Sequence, residues 1–178
     1  MKSNFQEDGN DLSLKKREFE KIKLTSLEAE SLAKELNFLL REGIIPRSNK
    51  EFINLMIAGL GEKRGIVRRT FSKTLAVLGK ESIPALTDAL HNHSNVTVRR
   101  AAAKTLRLIE DPNTLPALLK ALTNDPDPVV QGSSAAAMAI FGEDAVELLL
   151  TVFLNPESSA LQAGLASWGI SFIGEKAP

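Results

Sequence analysis

SIPALTDAL at residues 82–90 and TLPALLKAL at residues 114–122 are one phrase written twice, 32 residues apart, with Pro84 falling on Pro116. A fixed period of this size is the signature of a repeat architecture. The same offset carries VTVRRAAAKTL (96–106) onto PVVQGSSAAAM (128–138) and IFGE (140–143) onto FIGE (172–175). Upstream, GIVRRTFSKTL (65–75) aligns with 96–106 at an offset of 31, through Val67/Val98, Arg68/Arg99, Arg69/Arg100, Lys73/Lys104, Thr74/Thr105 and Leu75/Leu106. From about residue 50 onward the chain reads as four units of 30 to 32 residues.

Each unit divides into two apolar-periodic halves. In the second halves, Val67, Phe71, Leu75 and Leu78 step by four, four and three. Val98, Ala102, Leu106 and Ile109 repeat those steps, as do Val130, Ser134, Met138 and Phe141. That spacing is one face of an α-helix. The first halves predict short helices over 52–60, 83–90, 115–122 and 146–154. Glu62–Gly65, Asn92–Asn95, Asp125–Pro128 and Asn155–Ser158 supply the turn chemistry between halves. Gly79, Gly142 and Gly174 stand where a helix ends in a left-handed residue. Pro84 and Pro116 fit a first helical turn, where the missing N–H costs nothing. No segment alternates with period two between hairpin turns, so no strand is expected. A single helical pair cannot bury its apolar face, whereas a stack of pairs can. The reading is an all-α fold, an α-solenoid of about nine helices, with Ala101–Ala103 and Ser133–Ala137 as the small residues that let neighbouring helices approach.

Before the repeats, Thr25-x-x-Glu28 predicts a capping box and a capping helix over 26–42, closed by Gly43. Ser48-x-x-Glu51 predicts a second box that opens the first repeat. The expected organisation is a polar arm over 1–24, partly disordered, and a solenoid over 25–178. Its repeats are expected at about 49–79, 82–110, 114–142 and 144–174. The chain stops where another unit would open. Because 161–173 is rich in apolar residues, either a truncated natural protein or a C-terminal face that docks on a partner or another copy is expected.

Composition narrows the function classes. Lys+Arg and Asp+Glu are both 22 in 178 residues. This zero balance argues against a nucleic-acid binder that works through bulk charge. There is no cysteine, which excludes disulfides, thiolate metal sites and a cysteine nucleophile within the chain. With no Tyr and one Trp, a base-stacking platform is not expected. No apolar run approaches the roughly 20 residues that span a bilayer, and the start lacks a signal core, so a cytoplasmic protein with no membrane insertion follows. Catalytic triads, phosphate loops and paired carboxylates at a recognisable spacing are absent.

The pattern Val98-Arg99-Arg100-Ala101-Ala102-Ala103-Lys104-Thr105-Leu106, followed by Pro116-Ala117-Leu118-Leu119-Lys120-Ala121-Leu122 and the Asp-Pro-Asp-Pro-Val-Val turn (125–130), resembles the HEAT-like repeat of the phycobilisome-lyase family. The likeness covers about 50–175. It departs at Gln131-Gly132, which replace Arg-Arg, and in the fourth unit, which has no arginine there. The resemblance implies a protein-binding scaffold that acts on phycobiliproteins, in chromophore handling or phycobilisome disassembly in cyanobacteria. It also implies two alternatives, a bilin lyase or lyase subunit, and an adaptor with no pigment role. No cofactor is required, but a linear tetrapyrrole such as phycocyanobilin is the implied ligand. The implied partner is a phycobiliprotein or another acidic protein, with homo- or hetero-oligomers through the C-terminal face.

Five kinds of residue stand out. Arg69 and Arg100 open successive second helices, with Lys73 and Lys104 one turn on. Stacking aligns all four into a cationic ridge suited to carboxylates or an acidic surface. Arg68 and Arg99 read first as braces between neighbouring turns and second as members of that ridge. His91-x-His93 is a metal half-site with nothing to complete it, so a solvated turn is expected. Asp125, Asp127, Glu143 and Asp144 read first as helix caps, and second, through the resemblance, as carboxylates that can hydrogen-bond the pyrrole nitrogens of a bilin. Leu161, Leu165, Trp168 and Phe172 predict a core stripe, and Trp168, if exposed, a partner-binding anchor.

Overall fold

A computed structural model describes residues 18–46 and 48–177. Most of the polar arm therefore lies outside the described residues. The helices run α1 (Glu18–Lys21), α2 (Ser26–Arg41), α3 (Lys50–Gly59), α4 (Gly65–Leu78), α5 (Ile83–Asn92), α6 (Val96–Ile109), α7 (Leu115–Asn124), α8 (Pro128–Met138), α9 (Glu143–Leu154) and α10 (Ala160–Lys176). Short 3₁₀ turns at Gly79–Ser82, Pro112–Thr114 and Ala139–Phe141 link one helical pair to the next. Among the described residues there is no strand. The fold is an all-α solenoid.

Local chemistry sets the helix boundaries. Thr25 and Glu28 form the expected capping box on α2. The box expected at Ser48 is not formed. Asn49 caps α3 instead, accepting the Phe52 N–H at 2.9 Å, because the helix begins one residue later than the Ser-x-x-Glu spacing implies. Asn95 caps α6, Asp127 caps α8, and Ser159 with Gln162 forms a capping box on α10. Gly43, Gly79 and Gly142 have φ of 68°, 58° and 59°, the region that suits residues without a Cβ. Gly174 does not join them: α10 continues through it to Lys176.

The helices form two layers. The first helices α3, α5, α7 and α9 pack side by side, and so do α2, α4, α6, α8 and α10. Between the layers runs one continuous core. Val67, Phe71, Leu75 and Leu78 are buried on α4, Val98, Ala102 and Leu106 on α6, and Val130, Ser134 and Met138 on α8. The first helices answer with Met56 and Ile57, Leu86 and Leu90, Leu118 and Leu122, and Leu149 and Val152, all buried. The second layer carries small buried residues, Ala101–Ala103, Ser133–Ala135 and Ala166, which let its helices approach closely.

The expected core stripe on α10 is corrected. Its buried residues are Ala166, Gly169 and Ile173, while Leu161 is exposed, Leu165 and Phe172 are half-buried, and Trp168 is 47% exposed. Apolar residues lie all round this helix, so spacing alone does not say which stripe turns inward. The small face does, because Leu149 presses to within 3.0 Å of where a Cβ at Gly169 would lie.

Two glycines test the packing in opposite senses. A Cβ at Gly59 would lie 2.6 Å from the buried Phe71 ring, whereas at Gly164 it would meet nothing within 4 Å. Gly59→Ala is expected to lower the unfolding free energy by about 1–3 kcal/mol. Gly164→Ala should raise it by about 0.5–1 kcal/mol. Urea titration of the two variants reads both; equal effects would contradict the packing described.

Candidate functional site

The site is built on the start of each second helix. Arg68, Arg99 and Gln131 occupy the same place in three units, and each side chain turns back to a carbonyl six residues earlier. Arg68 Nη1 donates to Glu62 O at 2.6 Å, Arg99 Nη1 to His93 O at 3.0 Å, and Gln131 Nε2 to Asp125 O at 2.7 Å. One donor therefore closes each turn, and glutamine serves where arginine is lacking. Arg99 does more. Its Nε and Nη2 fork onto the Asp125 carboxylate at 2.9 and 3.2 Å and tie one repeat to the next turn. Arg99 and Asp125 are largely buried and Arg68 is half-buried, and both arginines are occupied internally.

Two further ties cross between repeats. His91 Nε2 donates to Ala117 O at 2.9 Å, and Gln162 Nε2 to Thr123 O at 2.6 Å. His93 Nδ1 accepts the Asn95 N–H at 3.0 Å. Burial holds the His93 imidazole below its ordinary pKa against the pull of Glu20, whose carboxylate accepts the Ser94 N–H from α1. Among the described residues no group of three or more His, Asp and Glu is placed to hold a metal ion. Asp127 accepts from the Val129 and Val130 N–H groups, while Glu143 and Asp144 sit in the first turn of α9.

Arg64 escaped the sequence reading because turn residues carry no periodicity. It is the brace of the first joint. Its guanidinium reaches Glu30 Oε2 at 2.6 Å, Glu62 Oε1 at 3.2 Å and the Ser26 carbonyl, joining α2 to the α3–α4 turn. The Arg64 hydrogen bond holds Glu30 below the usual carboxylate range, with Lys34 assisting. Glu62 is held down chiefly by the Arg64 N–H.

The outward strip of the second layer is different in kind. Arg69, Lys73 and Lys104 are exposed and Arg100 is half-buried. Among the described residues none of the four is in a salt bridge. Arg100 Nε is buried with no hydrogen-bond partner. The repeat offset continues the strip beyond these cations. Arg69 and Arg100 are followed in register by Gly132 and Gly164, and Lys73 and Lys104 by Ala136 and Trp168. Exposed Ile66, Val129 and Leu161 flank it on one side, exposed Val77 and Leu108 on the other. Trp168 stacks on Phe172 with centroids 5.6 Å apart, and Lys176 Nζ lies 5.8 Å from the Phe172 ring centre. The strip thus runs from cationic over α4 and α6 to small and apolar over α8 and α10. The glycines and Ala136 carry no chemical signal of their own, and only the register of the repeat picks them out.

Comparison with known proteins agrees with this architecture. The HEAT repeats family matches residues 83–167. The chain is 49% identical over 155 residues to the bilin biosynthesis protein MpeU of Synechococcus sp. (strain WH8020), a match covering 87% of this chain and 52% of that protein. It is 36% identical over 132 residues to the uncharacterized phycocyanin operon protein Z of Pseudanabaena tenuis (strain PCC 7409), covering 70% of this chain and 65% of that protein. The chain therefore spans about half the length of the first relative and somewhat under two thirds of the second.

Two predictions separate brace from strip. Arg99→Met leaves the Asp125 carboxylate buried without its partner and is expected to cost about 2–4 kcal/mol in urea unfolding. The second concerns acid. Carboxylates whose folded pKa is depressed add stability above their unfolded value, and that stability is lost as pH falls through the folded one. Arg64→Met should therefore melt lower than the parent protein at pH 7, and the gap should narrow on acidification through the carboxylate range, chiefly through Glu30, because Glu62 keeps its bond from the residue-64 N–H. Thermal melts across pH read this, and a gap that stays constant would refute the assignment.

Proposed function

Because this chain is a HEAT-like repeat protein of the phycobilisome-lyase family, we propose that it is a binding scaffold that holds a phycobiliprotein while its bilin chromophore is handled. One observation carries this reading: four cations that make no salt bridge among the described residues share one strip with a half-exposed tryptophan on a chain of zero net charge. Opposite charge steers an acidic partner to such a patch even when the whole molecule is neutral. An exposed tryptophan at the other end of the strip offers the large apolar contact that anchors an interface. The names of the two relatives point to bilin and phycocyanin, which favours chromophore handling over disassembly.

The lyase alternative rests on the same strip. Arginine and lysine suit the carboxylates of a bilin as well as those of a protein. The acceptor cysteine would belong to the phycobiliprotein, since this chain has none.

The test is direct titration of a purified phycobiliprotein. The Arg69→Ala/Arg100→Ala double variant should bind at least tenfold more weakly at low salt, with a shallower salt dependence. Its melting temperature should stay within a few degrees of the parent, since neither guanidinium holds a turn. Visible spectra with free phycocyanobilin separate the alternatives. A sharpened, red-shifted band that the double variant loses would favour direct pigment handling. Unchanged affinity of the double variant for the phycobiliprotein would remove the strip as the functional surface.

A further inference from the structure

We propose that the strip is the seat of a single amphipathic α-helix of the partner, laid across α4, α6, α8 and α10 along the solenoid axis. That helix is acidic where it crosses α4 and α6 and apolar where it crosses α8 and α10. The inference rests on the scaffold reading above and adds which structural element of the partner is held.

The first argument is metric. Packed helices lie about 8–10 Å apart, so the strip repeats its positions at about that interval. An α-helix rises about 1.5 Å per residue, so seven residues span roughly 10.5 Å and return to nearly the same face. One docked helix can thus offer one residue per repeat at i, i+7, i+14 and i+21. A β-strand rises about 3.3 Å per residue, so one repeat spans three residues and the side chain there points away. A strand would meet only every second repeat.

The second argument is chemical. The four steps of the strip are Arg69 with Lys73, Arg100 with Lys104, Gly132 with Ala136, and Gly164 with Trp168. The first two steps call for carboxylates and the last two for large apolar side chains. Gly132 and Gly164 lower the floor. A Cβ at Gly164 would touch nothing within 4 Å, and one at Gly132 only Leu165, at 3.7 Å. Exposed Ile66, Val129 and Leu161 on one side, and Val77 and Leu108 on the other, form apolar rails for the flanking positions of an amphipathic helix. Arg100 is available for this role in a way that Arg99 is not, because Arg99 is spent on Asp125 and its own turn.

The test uses two fluorescein-labelled, hydrocarbon-stapled peptides of roughly 24 residues, long enough to cross four repeats. Both have the same composition. One carries two glutamates and then two leucines on one face at intervals of seven, and the other carries them at intervals of five. Anisotropy gives the affinity, and fluorescence of the single tryptophan reports contact at the apolar end. Expected are at least tenfold tighter binding of the seven-spaced peptide, a blue shift of Trp168 emission, and at least tenfold weakening by Lys73→Glu/Lys104→Glu. Circular dichroism confirms that the variant is folded. Equal binding of the two peptides, no binding of either, or indifference to the charge reversal would overturn the helix seat. Parallel titration of the intact phycobiliprotein tells the two failures apart. If it binds the parent protein but not the charge-reversed variant while the peptides fail, the scaffold reading stands and the helix seat falls. If it also ignores the strip, both fall.

Discussion

The second helices touch one another through small side chains, and the rest of the molecule is arranged around that contact. α6 packs against α8 and α8 against α10, and the small buried residues Ala101, Ala102 and Ala103 on α6, Ser133, Ser134 and Ala135 on α8 and Ala166 on α10 keep these helices slim. Close approach of these backbones removes room for large residues on the inner contact line and sends them to the interlayer core. It also fixes the spacing of whatever the helices carry on their outward side. The cations gain their regular interval from alanines and serines that never meet a partner. Enlarging one of those residues would disturb the core and the outer strip together, since interiors at native density accommodate added volume only by moving.

Much of this architecture was legible in the sequence because repetition averages out local ambiguity. A single run such as Leu115–Leu122 could be read several ways, but four copies with aligned prolines and glycines leave few. The 25–28 capping box and the stripes of α4, α6 and α8 were legible for the same reason. The reading failed where a segment is apolar all round. On α10, leucine, isoleucine, tryptophan and phenylalanine occur on every face, and the inward one is chosen by where a helix neighbour can come close, at Ala166 and Gly169. Ser48 and Asn49 illustrate a smaller failure. Both are competent caps, and the winner is the residue whose oxygen meets the first free N–H.

The candidate site was legible in its charges and illegible in its gaps. Arg69, Arg100, Lys73 and Lys104 declare themselves by type and interval. Gly132, Gly164 and Ala136 contribute by what they lack, and a missing side chain announces nothing until neighbours are placed around it. The division of labour between adjacent arginines was also hidden. Arg99 and Arg100 are consecutive, yet the helix turns one toward the joint, where a carbonyl and a carboxylate await it, and leaves the other on the outer layer.

The turn-closing donor is present in the first three units as Arg68, Arg99 and Gln131, and Ala163 stands at the corresponding place in the fourth. The fourth unit holds its joint by other means. Asn155 accepts the Glu157 N–H, Ser159 caps α10, and Gln162 reaches over to the Thr123 carbonyl. In a linear array, stability is a sum of unit and neighbour contributions, so a unit that lacks the turn-closing donor is held by what its neighbour supplies. The Gln162 tie reaches from α10 to α7 of the third unit, whereas Arg68 closes its own turn. What the first unit fixes locally, the fourth fixes through the unit before it, so the apolar end of the strip keeps its place only while the third unit is folded.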